Sequence, residues 1–200
     1  MAKTLQNLTP IFFFFFFFPL TIANAHDDHT FAKTSTPENL EVKPVKLTHL
    51  HFYFHDNITG RIPTSVRVAG GPKVKNKPLT DFSAVLNFGT VVVMDDPLTV
   101  GPEPTSKLVG RAQGIYSTAS QTEVAFLMVL NYVFLEGKYN GSTLSILGRN
   151  SILSKVREMP IVGGSGIFRF AKGCAQARTY SFNTTNGDAV VEYNVYVYHY

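Results

Sequence analysis

Four polar side chains lie in apolar stretches of this 200-residue chain, where they could act on a bound molecule. Asp56 ends an alternating apolar run, and Arg157 lies between two such runs. Arg111 and Tyr116 share a run of apolar and small residues. An inward-facing carboxyl in an apolar interior has a raised pKa, so it stays protonated and can act as a general acid. Arginine and tyrosine can hold a substrate oxygen or stabilise negative charge on it.

Each of these residues also has a structural interpretation. Asp56 can cap the turn before Asn57, and Arg157 can pair with an acidic residue across a strand. The acidic pair in Asp95-Asp96-Pro97 is typical of a turn. The residues alone therefore leave catalytic and structural roles open.

Other reaction centres are weakly indicated. His49, His51 and His55 share one strand face with Tyr53, and a His-x-His pair can bind zinc or copper. No carboxylate or thiolate lies nearby on that face, so a half-buried strand with solvent-facing side chains is favoured over a metal site. The chain has no G-x-S-x-G elbow, no glycine-rich dinucleotide fingerprint and no P-loop. We therefore expect no metal, no cofactor and no oxidising centre of its own.

The elements that must position these side chains show a period of two, which is typical of strands. Leu50, Phe52 and Phe54 alternate with polar residues near one end of the chain, and so do alternate residues in 191–197 near the other. The run from Glu123 to Leu135 also has a composition that suits a helix, but its β-branched and aromatic residues favour a strand. The spacing predicts an all-β antiparallel sheet or barrel. The further predicted strands are Phe88 to Met94, Leu108 to Tyr116, Ser142 to Leu147, Ile161 to Phe170 and Ala175 to Phe182.

The beginning of the chain is typical of a secretory signal peptide. Residues 1–25 contain one charged side chain, seven consecutive phenylalanines and the cleavage pattern Ala23-Asn24-Ala25. A membrane anchor is the alternative, but Pro10 and Pro19 break an apolar stretch that is shorter than the ~20 residues of a membrane span. We expect a secreted, extracellular protein of the apoplast or cell wall. A flexible segment over 26–45 would then precede an ordered domain over 46–200.

Composition limits the partners and the covalent chemistry. Only 16% of residues are charged and no basic run is present, which argues against a nucleic-acid partner. The single Cys174 cannot form an intramolecular disulfide, and we expect it to be a small buried apolar residue. Glycosylation sequons begin at Asn57, Asn140 and Asn183, each beside a turn signal.

A series of short blocks carries a resemblance to a known family. In order and spacing the blocks resemble the plant dirigent proteins from about Leu47 to Val197. They are Phe54-His55-Asp56, Phe88 to Pro97, Gly110 to Tyr116, Asn140 to Leu144, Val156-Arg157-Glu158 and Val162 to Gly166.

The resemblance implies a closed eight-stranded antiparallel β-barrel, usually a trimer, that binds a phenolic molecule inside. By motif it implies pocket roles for Asp56, Tyr116 and Arg157, with Arg111 binding substrate. Family members that form the lignan pinoresinol commonly have Gly-Ala-Asp where this chain has Gly148-Arg149-Asn150, so Asn150 replaces an acid at a substrate-binding position. They also usually carry two cysteines that are missing here. The chain therefore looks like the broader branch of the family.

Three functions remain open at this stage. The first is a guide for stereoselective coupling of phenoxy radicals, for example from coniferyl alcohol, with a laccase or peroxidase as the radical source. The second is a cofactor-free lyase like pterocarpan synthases, in which Asp56 protonates a leaving hydroxyl and a quinone methide closes a ring. The third is a cell-wall binding protein whose aromatic residues, 13% of the chain, form core or a glycan platform.

Overall fold

The computed structural model describes residue 32 and residues 44–71 and 86–200. The predicted signal peptide, and all of the predicted lead-in before residue 44 apart from residue 32, lie outside the described residues. Two short 3-10 helices span Gly137–Tyr139 and Gly166–Phe168. The strands are β1 Lys46–Asp56, β2 Ser65–Ala69, β3 Val91–Thr99, β4 Leu108–Thr118, β5 Ala125–Phe134, β6 Thr143–Ser151, β7 Arg157–Ser165, β8 Lys172–Phe182 and β9 Ala189–His199.

The strands close into a barrel. Consecutive strands from β3 to β9 pair antiparallel, and β1 pairs with β9 along its whole length, from Lys46 opposite His199 to Asp56 opposite Ala189. The circuit closes where Phe54 of β1 pairs with Leu98 of β3. The short strand β2 adds to the same edge of β3 further along. The predicted eight-stranded antiparallel barrel is confirmed.

The expected turn at Asp95-Asp96-Pro97 is wrong, because all three residues lie inside β3. Along one edge of β3 the partner changes from β2, whose pairs run up to Met94, to β1, whose pairs begin at Leu98. Pro97 falls in the gap between these partners. A proline cannot donate to a ladder hydrogen bond, so it is tolerated in a strand where that bond is not needed.

The predicted strand from Ile161 to Phe170 is also wrong in its bounds. β7 begins earlier, at Arg157, and ends at Ser165, after which Gly166 has a positive φ of 63° and starts a 3-10 helix. This turn places the fully buried ring of Phe168 under one end of the barrel, where it stacks on Tyr139 at 5.4 Å. The rings therefore form a plug at that end.

Above the plug, alternating inward side chains fill the barrel. Phe52, Tyr132 and Tyr193 come from three strands and contact one another through their rings, with centroids 5.0 to 5.8 Å apart. Cys174 was expected in the core but is half-buried on the outer face, since it alternates with the inward Ala175. Within the described ranges, no helix has the length and apolar character of a membrane span.

Gly114 of β4 marks a close approach of two backbones, which gives a stability prediction. A Cβ atom at this position would lie 2.3 Å from the carbonyl oxygen of Val129. Relieving such a contact needs a backbone shift, so Gly114→Ala is expected to lower the free energy of unfolding by about 3 kcal/mol. Gly163→Ala is the matched control, because an added Cβ there meets no atom within 4 Å. Equal midpoints for both variants in guanidinium unfolding would contradict the prediction.

Candidate functional site

A cavity of about 680 Å³ opens at the end of the barrel away from the plug. Sites for small molecules are usually of this size, roughly 300–1,000 Å³, with apolar walls and a few polar groups. The antiparallel register brings the last residues of β1, β4 and β6 to the same end as the first residues of β5, β7 and β9. The apolar lining includes Phe54, Phe126, Met128, Leu153 and Val191, and the polar lining includes Asp56, Tyr116, Asn150, Arg157, Thr179 and Tyr193.

The carboxyl of Asp56 is the acidic group of this cavity. It sits on the last residue of β1, where its Oδ2 accepts a hydrogen bond of 3.2 Å from the hydroxyl of Tyr116. Its Oδ1 is buried and accepts no hydrogen bond from the described residues. Burial raises the pKa of Asp56 to about 6, and the negative charge of Asp188 adds to the rise. Asp56 thus keeps its proton at a pH where an exposed aspartate has lost it.

A second buried carboxyl, that of Asp96, lies next to this group. Asp96 is fully buried and accepts hydrogen bonds from the hydroxyls of Thr64 and Ser65. Burial and the charge of Asp56 raise the pKa of Asp96 to about 8. Two neighbouring carboxyls resist double ionisation, so they titrate as a pair. At a pH between about 6 and about 8 the pair therefore retains one proton.

Tyr116 holds the Asp56 carboxyl in place from β4. Its ring stacks on Phe126 with centroids 5.0 Å apart, and burial followed by the charge of Asp56 raises the pKa of Tyr116. The phenol therefore stays neutral and keeps its proton for hydrogen bonding. The phenol of Tyr116 thus orients the Asp56 carboxyl by a hydrogen bond and adds no charge to the cavity.

Arg157 lies across the barrel from the carboxyl pair. Its Nε donates to Oδ1 of Asn150 at 3.0 Å, and a terminal nitrogen donates to the hydroxyl of Thr179 at 3.0 Å. The residue is only 5% exposed, yet no described carboxylate forms an ion pair with it. Burial lowers the pKa of Arg157, but a guanidinium remains charged in proteins. The cavity wall thus carries a cation held only by neutral groups.

The structure does not bring Arg111 to this site. Arg111 points to the outer face, where its Nε donates to the carboxylate of Asp95 at 2.6 Å. Since inward positions on β4 have even numbers, as in Ala112 and Tyr116, an arginine at 111 cannot share their side. Arg111, expected to bind substrate, therefore does not reach the cavity, whereas Asp56, Tyr116, Asn150 and Arg157 line it.

The histidines of β1 make no common site. His49 and His51 are exposed and hydrogen-bond to Asn194 and Glu192. His55 is buried and hydrogen-bonds through Nε2 to the hydroxyl of Thr99 at 2.7 Å. Burial lowers the pKa of His55, so its ring is neutral. In the part of the chain that the structure describes, no cluster of three or more His, Cys, Asp or Glu side chains could hold a metal ion.

The sequence reasoning missed Asp96 as a site residue. Its position did carry a signal, because Asp96 follows Val92 and Met94 at intervals of two and precedes Leu98 by two. An acid in step with three apolar residues faces the interior of a strand. The proline at 97 hid this pattern by indicating a turn.

Known proteins share this sequence and fold. The family described as Dirigent-like protein matches residues 47–198. Dirigent protein 21 from Arabidopsis thaliana is 52% identical over the full length of both chains. Pterocarpan synthase 1 from Glycyrrhiza echinata is 56% identical over 86% of this chain and 88% of its own. The solved structure of the pterocarpan synthase dirigent protein GePTS1 superposes with a TM-score of 0.75 and 55% identity, covering 84% of this chain and 99% of that one. The chain therefore belongs to the dirigent protein family, outside its typical pinoresinol-forming type.

Proposed function

We propose that the chain is a cofactor-free lyase that binds a phenolic alcohol in the barrel and converts it through a quinone methide. Its similarity to proteins named pterocarpan synthase 1, at 54–56% identity, supports this choice of reaction. The observation that carries the proposal is the Asp56 carboxyl, whose pKa is raised to about 6, facing an apolar cavity that is also lined by Arg157. This arrangement suits a reaction that needs a proton donor and develops negative charge on an oxygen some distance away.

In the first step Asp56 donates its proton to a benzylic hydroxyl, and the C–O bond breaks as water leaves. The substrate's phenol gives its proton to solvent water, so the product of this step is a neutral quinone methide. Arg157 stabilises the oxygen of that phenol as it gains negative charge.

In the second step an internal phenolic oxygen attacks the benzylic carbon and forms the new C–O bond. The Asp56 carboxylate takes the proton from that oxygen, while the quinone methide oxygen takes back from solvent the proton that the phenol lost in the first step. The net change is loss of one water, and Asp56 returns to its starting form. No electrons are exchanged with an oxidant.

A second function is favoured by the separation of the polar groups. Asp56 and Arg157 lie on opposite walls, so two phenolic molecules could each hold one oxygen at one wall. A laccase or peroxidase would supply phenoxy radicals, and the cavity would set which faces couple. A tenfold preference for one enantiomer needs only about 1.4 kcal/mol between competing transition states.

Chiral chromatography separates these functions. Purified protein is incubated with a racemic isoflavanol without oxidant, and separately with coniferyl alcohol and a laccase. Turnover of one isoflavanol enantiomer alone supports the lyase. Enantiomeric excess only in the laccase reaction supports the radical guide and overturns the lyase. No effect in either reaction, together with no phenol bound in calorimetry, supports the cell-wall binding alternative.

Asn150 gives a prediction about charge. Asn150→Asp would place a carboxylate on Nε of Arg157, which would neutralise the cation that now has only amide and hydroxyl partners. We expect kcat for the isoflavanol to fall about tenfold, because the stabilisation of an oxygen anion weakens. Asn131→Asp on the outer face of β5 is the matched control. Unchanged kcat in both variants would contradict the role given to the charge of Arg157.

We further propose a secreted homo-oligomer with glycans. Asn140 and Asn183 are exposed, whereas Asn57 is half-buried, so the first two are the better acceptor sites. Strands on one side of the barrel expose aliphatic side chains on their outer face, and burying such a patch favours association. These side chains are Val93, Ile115, Leu127, Val129, Leu147 and Val162. Sedimentation of the purified protein would show a trimer if the proposal holds.

A further inference from the structure

Asp188 joins two loops at the rim of the cavity. Its Oδ1 accepts hydrogen bonds from the backbone N–H groups of Ile58 and Thr59, at 2.9 and 3.1 Å. Its Oδ2 accepts from the hydroxyl of Thr59 at 3.0 Å and from the side-chain amide of Asn186 at 2.7 Å. The same amide donates to the hydroxyl of Thr59 at 3.0 Å. We call Asp188, Thr59 and Asn186 the rim cluster.

The rim cluster begins where the barrel ladder ends. The last β1–β9 pair is Asp56 with Ala189, so beyond it no backbone ladder connects the two chain segments. Ile58 on one side and Gly187 and Ala189 on the other line the cavity. The side-chain bonds of the rim cluster therefore connect the two parts of the cavity wall next to Asp56.

We propose that Asp188 is a positioning residue that holds the loop after β1 against the turn before β9 and thereby keeps Asp56 enclosed. The proposal deepens the function above and rests on it for its effect on turnover. Hydrogen bonds to a charged acceptor are stronger than neutral ones, and Asp188 accepts such bonds from two neighbouring backbone N–H groups. Without this carboxylate those N–H groups would be left to bind water, and the loop would open.

The charge of Asp188 also acts on Asp56. Its negative charge helps to raise the pKa of Asp56, whose larger cause is burial. The other titratable groups around Asp56 are Asp96 on β3, Tyr116 on β4 and Tyr193 on β9. Loss of Asp188 should therefore lower the pKa of Asp56 for two reasons. A negative charge is removed, and the Asp56 carboxyl becomes more exposed to water.

Two variants separate position from charge. Asp188→Asn keeps the shape but removes the charge, and its NH₂ group would face the donors of Thr59 and Asn186. Asn186→Ala removes three bonds of the rim cluster, two that its amide donates and one that its Oδ1 accepts from the backbone N–H of Asp188, while the charge of Asp188 remains. Glu158→Gln, on the outer face of β7, is the control for removing a carboxylate elsewhere.

The test needs no substrate for its main measurements. Amide hydrogen exchange by NMR should be about tenfold faster or more at Ile58 and Thr59 in Asp188→Asn, and unchanged at Val195 in the barrel core. Carboxyl titration by ¹³C NMR should place Asp56 at a lower pKa in Asp188→Asn. Asn186→Ala should speed the exchange with a smaller change in the titration.

The outcomes distinguish this proposal from the lyase. Unchanged exchange at Ile58 and Thr59 with an unchanged titration of Asp56 would overturn the positioning role, whatever the activity. The expected NMR changes in a protein that turns over no isoflavanol would support the positioning role and reject the lyase. If both hold, the alkaline limb of the pH profile of kcat/KM should move to lower pH in Asp188→Asn.

Discussion

Asp56→Asn is expected to reduce isoflavanol turnover by a factor of 100 or more while the barrel stays folded. A positioned general acid contributes about 10²–10⁴-fold, and an amide of the same shape has no proton to give to the leaving hydroxyl. Turnover by the unmodified protein should fall as pH rises from about 6 towards about 8, since the carboxyl pair then loses its remaining proton. Steady-state kinetics over pH 5 to 9 would check both statements. A ~10²-fold fall in turnover is large enough to measure.

Stability provides the control for this prediction. The pKa values of Asp56 and Asp96 lie above the ordinary value of an unfolded aspartate, about 4. The folded state therefore binds more protons, and the free energy of unfolding falls as pH rises through the window from about 4 to about 8. Asp56→Asn should weaken this dependence, whereas Asp95→Asn on the outer face should not. A variant that unfolds more readily at neutral pH would instead indicate a structural role for Asp56.

Arg157→Gln is expected to lower kcat by about 100-fold with a smaller change in KM. An interaction that is made mainly with charge developing in the transition state affects kcat, and loss of one such donor usually costs 10²–10³-fold. Gln at 157 is shorter and neutral, so it removes the buried guanidinium charge from the cavity wall. Rapid-mixing kinetics would also follow the quinone methide, whose conjugation absorbs at longer wavelength than the phenol.

Arg178→Gln is the matched control, because this arginine is exposed on the outer face of β8 opposite Glu192. It should leave kcat and KM unchanged. If Arg157→Gln raised KM and left kcat intact, Arg157 would be a binding group that treats the ground state and the transition state alike, and the charge argument would fail.

The strands were predictable because alternation is a local property. Leu50, Phe52 and Phe54 show it at one end of the domain, and residues 191–197 show it at the other. Closure was not readable, since the pairing of Phe54 with Leu98 depends on the twist of the whole sheet. The plug was missed for a similar reason. Gly166 turns the chain under the barrel, and nothing local shows that Phe168 will then be buried.

The site was predictable in part. Asp56, Tyr116 and Arg157 were identified by their polarity in apolar runs, and the structure brings all three to one cavity. The phase of alternation explains the two differences. Arg111 lies at an odd position of β4 and faces outwards, and Asp96 lies at an even position of β3 and faces inwards. The polarity of a residue in an apolar strand marks it as unusual. Whether its position is in step with the buried residues decides if its side chain faces the inside or the outside of the barrel.

The plug has a consequence for the order of events in catalysis. In the part of the chain that the structure describes, Phe168 and the rings around it close one end of the barrel, and the cavity opens at the other end. Whatever leaves must leave by the way it entered. A product that stays bound therefore prevents the next substrate from binding, so the product should be a competitive inhibitor. Its release should become the rate-limiting step when the chemical step is fast. Release of the product through the open end of the barrel, rather than the chemical step, would then limit the turnover rate.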